Sequence, residues 1–450
     1  MVIHDQGGGR RHGQSLKSAK TLLGVSHPAF TGNFYSTENL RMGCLHSAEG
    51  AAAICRDFVP EPILLIRYLF FAATMSLKDQ SDNGSKTVVR FIQCVLLVVL
   101  LGVGTALADD RQNLLDEIVS QYAQADDPLV VYVSTPQGTW SAASGVAREN
   151  EPTTVNDRFR IGSMSKTFVA VVTLMLVEEG VFGLDDAASA WLPEDILQNI
   201  ANTQSVTIRQ LLTMRSGIDD YLGTEDFWAA VEADPQREWT AQDALAYSYN
   251  RPALFAPGAE FAYSNSNYLL LQIILEEASS MGLHSLIRER ILEPLNMADT
   301  YTQVSEFLPG GFVDAYGDLY DDTLLVNFSE INDGAGLGDG GLVSNVNDLH
   351  TFYQALLQRQ TLLSPAMMEE LLSFETVDDF FGYSLGLNEW NTPSGVAWGH
   401  AGGVLGFLGI SVYLPEADMI VIILSGGDSI AVEDLSLEIT SSFLMENPAS

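Results

Sequence analysis

The spacing of apolar residues changes sharply between residues 128 and 180. Residues 128–135 read PLVVYVST, an apolar and β-branched run, and a Pro-Gln-Gly turn separates them from TWSAASGVA at 139–147. Two such runs around a turn predict a β-hairpin, and residues 158–161 predict another short strand. From Ser163 to Glu179 the apolar residues recur at helical spacing, which predicts an α-helix that ends at Gly180.

The rest of the chain alternates helical patterns with loops and then returns to strands. Helical patterns separated by Pro- and Gly-containing loops cover 207–214, 241–249, 266–278, 284–294, 345–358 and 364–374. Strand-like runs follow at 395–400, 406–414 and 419–427, and a last helical pattern covers 429–446. This order predicts an α/β (α+β) fold, in which an antiparallel sheet built from both chain ends is flanked by helices and carries an inserted, mostly helical lobe. We assign the sheet lobe to 109–168 and 395–450, and the helical lobe to 169–394.

Residues 86–108, KTVVRFIQCVLLVVLLGVGTALA, have the pattern of a secretory signal: positive residues, an apolar run and a small-residue cleavage site. A membrane anchor is the alternative, although the run is shorter than the roughly 20 residues that a spanning helix needs. Because a signal peptide should begin a chain, we interpret 75–108 as the signal peptide, with translation starting at Met75. Residues 1–74 are then an upstream misreading or a disordered extension. The mature chain, 109–450, is expected to be periplasmic or secreted, with membrane contact only through the signal segment.

Charge and cysteine content exclude several classes of function. The formal net charge of −36 argues against nucleic acid as a partner. Residues 1–108 hold 10 of the 22 basic and 7 of the 58 acidic residues, so the remainder has 12 basic and 51 acidic residues and a net charge of −39. Cys44, Cys55 and Cys94 all precede residue 109 and define neither a disulfide framework nor a zinc pattern.

Lysine is scarce in this chain, and one lysine stands at a position suited to chemistry. From residue 87 to the C-terminus Lys166 is alone, three residues after Ser163 at the predicted helix start, so the two side chains share a helix face. A serine hydroxyl needs an adjacent base to act as a nucleophile, and a lysine can serve if burial lowers its pKa. The alternative is a serine N-cap with a lysine nearby by chance.

Two further short motifs carry groups that could assist. Tyr263-Ser264-Asn265 precedes a helical pattern. A phenol near a lysine can transfer protons and an Asn amide can hold the lysine and a substrate carbonyl, but Asn265 or Ser266 could equally be a helix N-cap. His400-Ala401-Gly402-Gly403 lies between two strand-like runs, where glycines let a substrate approach the backbone.

Ser-x-x-Lys, Tyr-x-Asn and His-x-Gly, in that order, resemble the motifs of the serine β-lactamase and penicillin-binding-protein family. The tyrosine and histidine forms are similar to its D-alanyl-D-alanine carboxypeptidase, class C β-lactamase and esterase branch. The resemblance covers about 112–446 and includes 206–221, 257–268, 291–302 and 334–356.

The resemblance implies a role for each motif residue. Ser163 would be the nucleophile, Lys166 and Tyr263 the proton shuttles, and Asn265 a positioning residue. His400 would stand where other branches have lysine, as a catalytic group. Ala401, Gly402 and Gly403 would bind substrate, with the N–H groups of Ser163 and Gly403 as the oxyanion hole.

The resemblance also implies an exported hydrolase that forms an acyl-enzyme on Ser163 and acts like a D-alanyl-D-alanine carboxypeptidase on a small-molecule or cell-wall peptide substrate. It implies no cofactor and no metal, and the scattered His284, His350 and His400 make a metal site unexpected. A carboxylesterase and a β-lactamase or D-aminopeptidase of the same family are alternatives. A catalytically inert wall-binding or scaffold protein is the alternative from another class.

Two observations qualify the picture. Gly336-x-Gly338-x-x-Gly341 fits a dinucleotide fingerprint but lacks a preceding strand, so a tight loop is the better interpretation. In the carboxypeptidase branch that the motifs resemble, hydroxyl residues around the third motif help to hold the substrate's C-terminal carboxylate. Ala401 and Gly403 offer no such side-chain donor here, and Arg215, Arg288 and Arg290 each have an ordinary surface interpretation. The resemblance and this departure from it predict weak carboxylate recognition, ready cleavage of small esters and slow cleavage, if any, of β-lactams.

Overall fold

The structure is a computed structural model that describes residues 110–124, 126–307, 309–318, 324–427 and 429–445. The predicted extension at 1–74 and the predicted signal peptide at 75–108 lie outside these residues. From Leu114 onward the described residues belong to one compact unit. No helix in the described ranges is both long and apolar enough to cross a bilayer.

An eight-stranded sheet unites the two ends of this unit, as predicted. Its first two strands form the predicted hairpin, β1 (Leu129–Thr135) and β2 (Gly138–Ser144). The remaining strands of the sheet are β10 (Glu375–Thr376), β11 (Phe381–Tyr383), β12 (Asn388–Thr392), β13 (Gly395–Val404), β14 (Phe407–Leu414) and β15 (Met419–Gly426). The strand order is β10-β11-β12-β13-β14-β15-β1-β2, and every neighbouring pair is antiparallel.

The predicted end of the helical lobe at residue 394 is wrong, because β10, β11 and β12 belong to the large sheet. These strands are short and lie at its edge, and β12 reads Asn-Glu-Trp-Asn-Thr, with a single apolar residue. A strand without an apolar run has no sequence signal of its own. The predicted break around His400 is also wrong, since 395–404 form one continuous strand.

Smaller strands complete the β structure. β3 (Val146–Arg148) pairs with β4 (Glu151–Pro152), and β7 (Tyr316–Gly317) pairs with β8 (Val326–Asn327). A three-stranded sheet has the order β5-β9-β6, formed by Phe159–Arg160, Leu342–Ser344 and Tyr301–Thr302 respectively. β5 leads directly into the segment that carries Ser163.

The predicted helices are present, with shifted ends. They are α2 (Ser165–Glu178), α4 (Ile208–Leu212), α6 (Ala241–Leu245), α7 (Ser266–Ser279), α8 (Leu283–Ile287), α9 (Val346–Tyr353), α10 (Pro365–Leu371) and α11 (Val432–Met445). π-Helical turns at Arg288–Leu292 and Gln354–Gln358 extend α8 and α9, so the predicted 284–294 and 345–358 are each two segments. Helices not predicted are α1, over 110–122, α3 (Glu194–Asn199) and α5 (Glu225–Ala233).

The two faces of the large sheet belong to different cores. On one face, Val131 and Ile423 pack with Leu115 of α1 and with Leu435 of α11. On the other face, residues such as Ile422 join a larger core that includes α2. α2 is buried from Ser165 to Leu174 without interruption, so it holds the residues at its start in a fixed place beneath the sheet.

Candidate active site

Ser163 lies in a 3₁₀ turn, Gly162–Met164, between β5 and α2. Gly162 has φ +51°, and a Cβ at this position would lie 2.7 Å from the backbone nitrogen of Gly403. Only glycine fits this left-handed conformation and this close approach to a second backbone without strain. The nucleophile predicted from the sequence is thus presented on a tight turn against β13, at the N-terminus of a buried helix.

Lys166 is fully buried, with 0% of its surface exposed, and all three positions around its Nζ are occupied. Nζ lies 3.0 Å from Ser163 Oγ, 2.7 Å from Asn265 Oδ1 and 2.5 Å from the Asp339 carbonyl oxygen. The last two atoms can only accept. A neutral amine has two N–H groups and one lone pair, so it donates to Asn265 and Asp339 and directs the lone pair at the Ser163 hydroxyl.

Burial also favours the neutral form of the Lys166 amine. Desolvation lowers the pKa of Lys166 to about 8, and the buried carboxylates of Asp339 and Asp220 oppose this shift. A base with a pKa near the working pH is the most effective in proton transfer. The geometry and the pKa of Lys166 therefore agree with a lysine that takes a proton from serine.

Asn265 immediately precedes α7, but its side chain does not cap that helix. Its Oδ1 accepts from Lys166, and its Nδ2 donates to Asp220 Oδ2 at 2.9 Å. Asn265 therefore occupies the N-cap position of α7, as the alternative had it, but its side chain makes no capping hydrogen bond. The other N-cap candidate, Ser266, instead donates to the Asp219 carbonyl and accepts from the Tyr221 N–H.

Tyr263 lies beside both Ser163 and Lys166. The Lys166 Nζ is 5.1 Å from the centre of the Tyr263 ring. Burial of the phenol end raises the pKa of Tyr263 well above its usual range, and its hydrogen bond with Ser163 works in the opposite direction. Because 39% of the residue is exposed, water moderates this rise, but the hydroxyl remains protonated at neutral pH and can donate a proton.

His400 is close to this group but is engaged elsewhere. Nδ1 lies 2.5 Å from the Ala401 carbonyl and Nε2 lies 3.5 Å from the Tyr383 hydroxyl. Burial, with a contribution from the Lys166 charge, lowers the pKa of His400 to about 3, so the ring is neutral. Both ring nitrogens face groups other than Ser163, and the catalytic role assigned to His400 stays a prediction without a supporting contact.

The Ala401-Gly402-Gly403 segment passes directly over the serine turn. β12 pairs with β13 only at residues 395–399, so the following residues have a strand neighbour on one edge alone. A Cβ at Gly402 would lie 2.1 Å from the Ile161 carbonyl oxygen and 3.0 Å from the Ser163 nitrogen. Glycine at this position is what lets β13 approach the serine backbone, and substrate binding by residues 401–403 stays a prediction.

The glycine-rich segment 334–341 holds Asp339 against Lys166. A Cβ at Gly336 would lie 2.2 Å from the Gln303 carbonyl, and one at Gly341 would lie 2.3 Å from the Gly336 nitrogen. The segment leads into β9 rather than joining a strand to a helix. The compact-loop interpretation therefore fits this segment better than the dinucleotide fingerprint.

Sequence reasoning missed the acidic and aromatic groups that surround the lysine. Asp220 and Asp339 are buried, and Tyr221 donates to Asp339 Oδ2 at 2.9 Å. Tyr383, from the unpredicted β11, faces Tyr263 with ring centres 6.3 Å apart. The available signal was the pair Asp219-Asp220 beside Tyr221, but a chain with 51 acidic residues after residue 108 gives no indication which of them are buried.

The three arginines considered for carboxylate recognition each pair with an acidic side chain. Arg215 lies 2.7 Å from Glu375, Arg288 pairs with Glu306, and Arg290 pairs with Glu179. Across the described ranges, no group of three His, Cys, Asp or Glu side chains is placed to hold a metal ion.

Two curated proteins are similar to this chain in sequence over more than half of its length. Penicillin-binding protein 4* of Bacillus subtilis (strain 168) is 31% identical over 279 residues, which are 58% of this chain and 58% of that protein. Unguisins hydrolase ungD' of Aspergillus campestris (strain IBT 28561) is 27% identical over 291 residues, 60% of this chain and 52% of that protein. The chain thus spans about half the length of the curated relatives it matches.

The fold is shared with solved hydrolase structures over most of their length. A D-stereospecific amidohydrolase from Streptomyces sp. has a TM-score of 0.65 and 27% identity, covering 73% of this chain and 96% of that one. A D-amino acid amidase from Ochrobactrum anthropi SV3 has a TM-score of 0.65 and 22% identity, covering 76% and 99%. The family model described as Beta-lactamase matches residues 101–437, and the chain therefore belongs to the β-lactamase family of serine hydrolases.

Proposed function

We propose that this protein is an exported hydrolase that forms an acyl-enzyme on Ser163 and acts on amide or ester bonds of small D-amino-acid-containing substrates. The observation that carries the proposal is the buried Lys166 amine 3.0 Å from Ser163 Oγ, with its two other hydrogen-bond positions occupied by acceptors. That arrangement activates the serine hydroxyl for attack on a carbonyl carbon.

Acylation begins when the Ser163 hydroxyl gives its proton to the lone pair of Lys166 and its oxygen bonds to the substrate carbonyl carbon. The Ser163 and Gly403 N–H groups stabilise the oxyanion that forms. The oxyanion then returns to a carbonyl and the bond between its carbon and the leaving amine or alcohol breaks. Tyr263, hydrogen-bonded to Ser163, gives a proton to that leaving group, and the proton on Lys166 replaces it. Water then attacks the ester carbon, its proton returns through the same groups, and the Ser163–acyl bond breaks.

Carboxypeptidase action on D-Ala-D-Ala peptides is the first candidate reaction, supported by similarity to a penicillin-binding protein and by the histidine form of the third motif. Hydrolysis of D-amino acid amides is the second. It is favoured by the pairing of Arg215, Arg288 and Arg290 with acidic residues, which leaves these arginines poorly suited to hold a terminal carboxylate, and by similarity to a D-stereospecific amidohydrolase.

Active-site labelling tests the acyl-enzyme. A fluorophosphonate or a fluorescent penicillin should label the wild-type chain and leave Ser163→Ala unlabelled. Lack of labelling in the wild type, together with no turnover of D-Ala-D-Ala peptide, D-phenylalanine amide, nitrocefin or p-nitrophenyl esters, would favour the inert scaffold.

Export and periplasmic or secreted location are part of the proposal, supported by the composition of residues 86–108. Intact-mass measurement of the exported protein should place its N-terminus at Asp109. Recovery of any peptide from residues 1–74 would refute translation from Met75.

A further inference from the structure

Asp220 contacts the end of the Asn265 amide that does not contact Lys166. Its carboxylate accepts from Asn265 Nδ2 at 2.9 Å, and from the backbone N–H groups of Asn265 and Leu222 at 3.2 Å each. Asp220 and Asn265 are 9% and 6% exposed, so water does not compete freely for these bonds. Three N–H donors therefore converge on one carboxylate.

An amide side chain has a donor end and an acceptor end, and it can rotate to exchange them. Burial raises the pKa of Asp220 to about 7, and above that pH its carboxylate only accepts. It then fixes Asn265 with Nδ2 toward Asp220 and Oδ1 toward Lys166. In the opposite orientation Nδ2 would donate to the neutral amine of Lys166. The lone pair of Lys166 would then be bound by Asn265 and unable to accept the Ser163 proton.

We propose that Asp220 is a positioning residue for this proton transfer: it locks the Asn265 amide in the orientation that leaves the Lys166 lone pair directed at Ser163. The role rests on the proposed function of Ser163 and Lys166, and Asp220 itself touches neither Ser163 nor the reacting atoms. It concerns a residue outside the three motifs that the sequence singled out.

The first test is Asp220→Asn. The new side chain still accepts from the backbone N–H groups through its oxygen, but its NH₂ group faces Asn265 and turns that amide around. We expect the plateau value of kcat to fall by about 100-fold or more, the scale of a lost general base, with KM changed by less than about threefold because substrate contacts are intact.

A double variant tests orientation rather than charge or stability. In Asp220→Asn with Asn265→Asp, the aspartate introduced at 265 accepts from both Lys166 and the amide at 220, and the number of charges is that of the wild type. We expect at least about tenfold recovery of kcat over Asp220→Asn alone. Asn265→Asp alone places two carboxylates face to face, so its kcat should stay below that of the double variant. A double variant no better than Asp220→Asn would overturn the proposal.

Asp348→Asn is the matched control. Asp348 is also 9% exposed, and it also accepts from a backbone N–H, that of Asp299, and from a side chain, that of Thr300. It has no bond to Lys166 or Asn265 among these contacts. The control should change thermal stability on the same scale as Asp220→Asn and leave kcat within about threefold. An equal loss of kcat in both variants would reduce the role of Asp220 to stability.

A readout without substrate separates this inference from the proposed function. NMR of the full chain labelled at lysine Cε gives five lysine signals, and Lys166→Arg identifies that of Lys166. The Lys166 pKa should fall in Asp220→Asn, which loses a nearby negative charge and an acceptor, and rise above the wild-type value in the double variant, where a carboxylate accepts directly. If no substrate is turned over by the wild type, the proposed function fails while this titration still shows whether Asp220 acts on Lys166. An unchanged Lys166 pKa in both variants overturns it.

Discussion

Two buried basic residues six positions apart, Arg160 and Lys166, have different roles: Arg160 anchors a loop, and Lys166 is placed to act as a base. Arg160 is 4% exposed and donates to Gln303 Oε1 and to the carbonyls of Phe328 and Ser329 at 3.0–3.2 Å, with Asp333 3.8 Å away. Lys166 is 0% exposed, and one of its three partners is a serine hydroxyl that can also donate. The partners of Arg160 can only accept a hydrogen bond, whereas one partner of Lys166 can also give up a proton.

The difference lies in the chemistry of the two side chains. A guanidinium stays protonated in a protein interior, so its burial yields a fixed fork of donors. An ammonium loses its proton when burial lowers its pKa, so the same burial yields a base. Arg160 anchors the segment 328–333, which leads into the glycine-rich loop carrying Asp339. Arg160 thus helps to position the loop whose Asp339 carbonyl accepts a hydrogen bond from Lys166.

Lys166→Arg would place a guanidinium at both sites and should have the largest effect on kcat/KM. Arginine keeps the charge and cannot act as a base, so kcat/KM should fall by about 10³-fold or more, within the range of general-base contributions. Ester hydrolysis measured from pH 6 to 9 checks this. Turnover near the wild-type value anywhere in that range would refute the proton-transfer role of Lys166.

Arg160→Lys applies the reverse change. One ammonium cannot serve the oxygens of Gln303, Phe328 and Ser329 with the same geometry, so the free energy of unfolding should fall by about 2–4 kcal/mol. Thermal or urea unfolding measures this. Arg290→Lys, which alters a more exposed pair with Glu179, is the control and should change stability by less than about 1 kcal/mol. Equal losses in the two variants would contradict the anchoring role.

The pH dependence of kcat/KM should show the titration of Lys166. The neutral amine is the active form, and burial lowers the pKa of Lys166 to about 8, so kcat/KM should rise with pH by about tenfold between pH 7 and pH 9. The enzyme-dependent rate on an ester, after subtraction of spontaneous hydrolysis, gives the profile. The pKa of Tyr263 is raised above its usual range. A rate that is flat to pH 9 and increases only above pH 10 would therefore show that Tyr263, and not Lys166, is the base.

The smallest expected effect concerns recognition of the substrate's C-terminal carboxylate by a cationic side chain. Because the three candidate arginines pair with acidic residues, amidation of the C-terminus of a D-Ala-D-Ala peptide should change kcat/KM by less than about threefold. A strong preference for the free carboxylate would show that another cationic group recognises it.

The sequence alone determined the local features of the site. The Ser163–Lys166 spacing, the hairpin and the strongly periodic helices follow from neighbouring residues, and α2 begins within two residues of the predicted start. The overall fold also followed, because apolar runs at both chain ends must be buried together.

Only the tertiary structure decided which polar residues act on Lys166. Its acceptors lie 99 and 173 residues away along the chain, and Asp220, buried and bound to one of them, looks like any other of the many acidic residues in the sequence. The strand β12, third from one edge of the large sheet, and the neutral state of His400 were equally absent from the sequence pattern. Burial and hydrogen-bond partners depend on contacts between distant segments, and they set the pKa values and amide orientations that no local pattern contains.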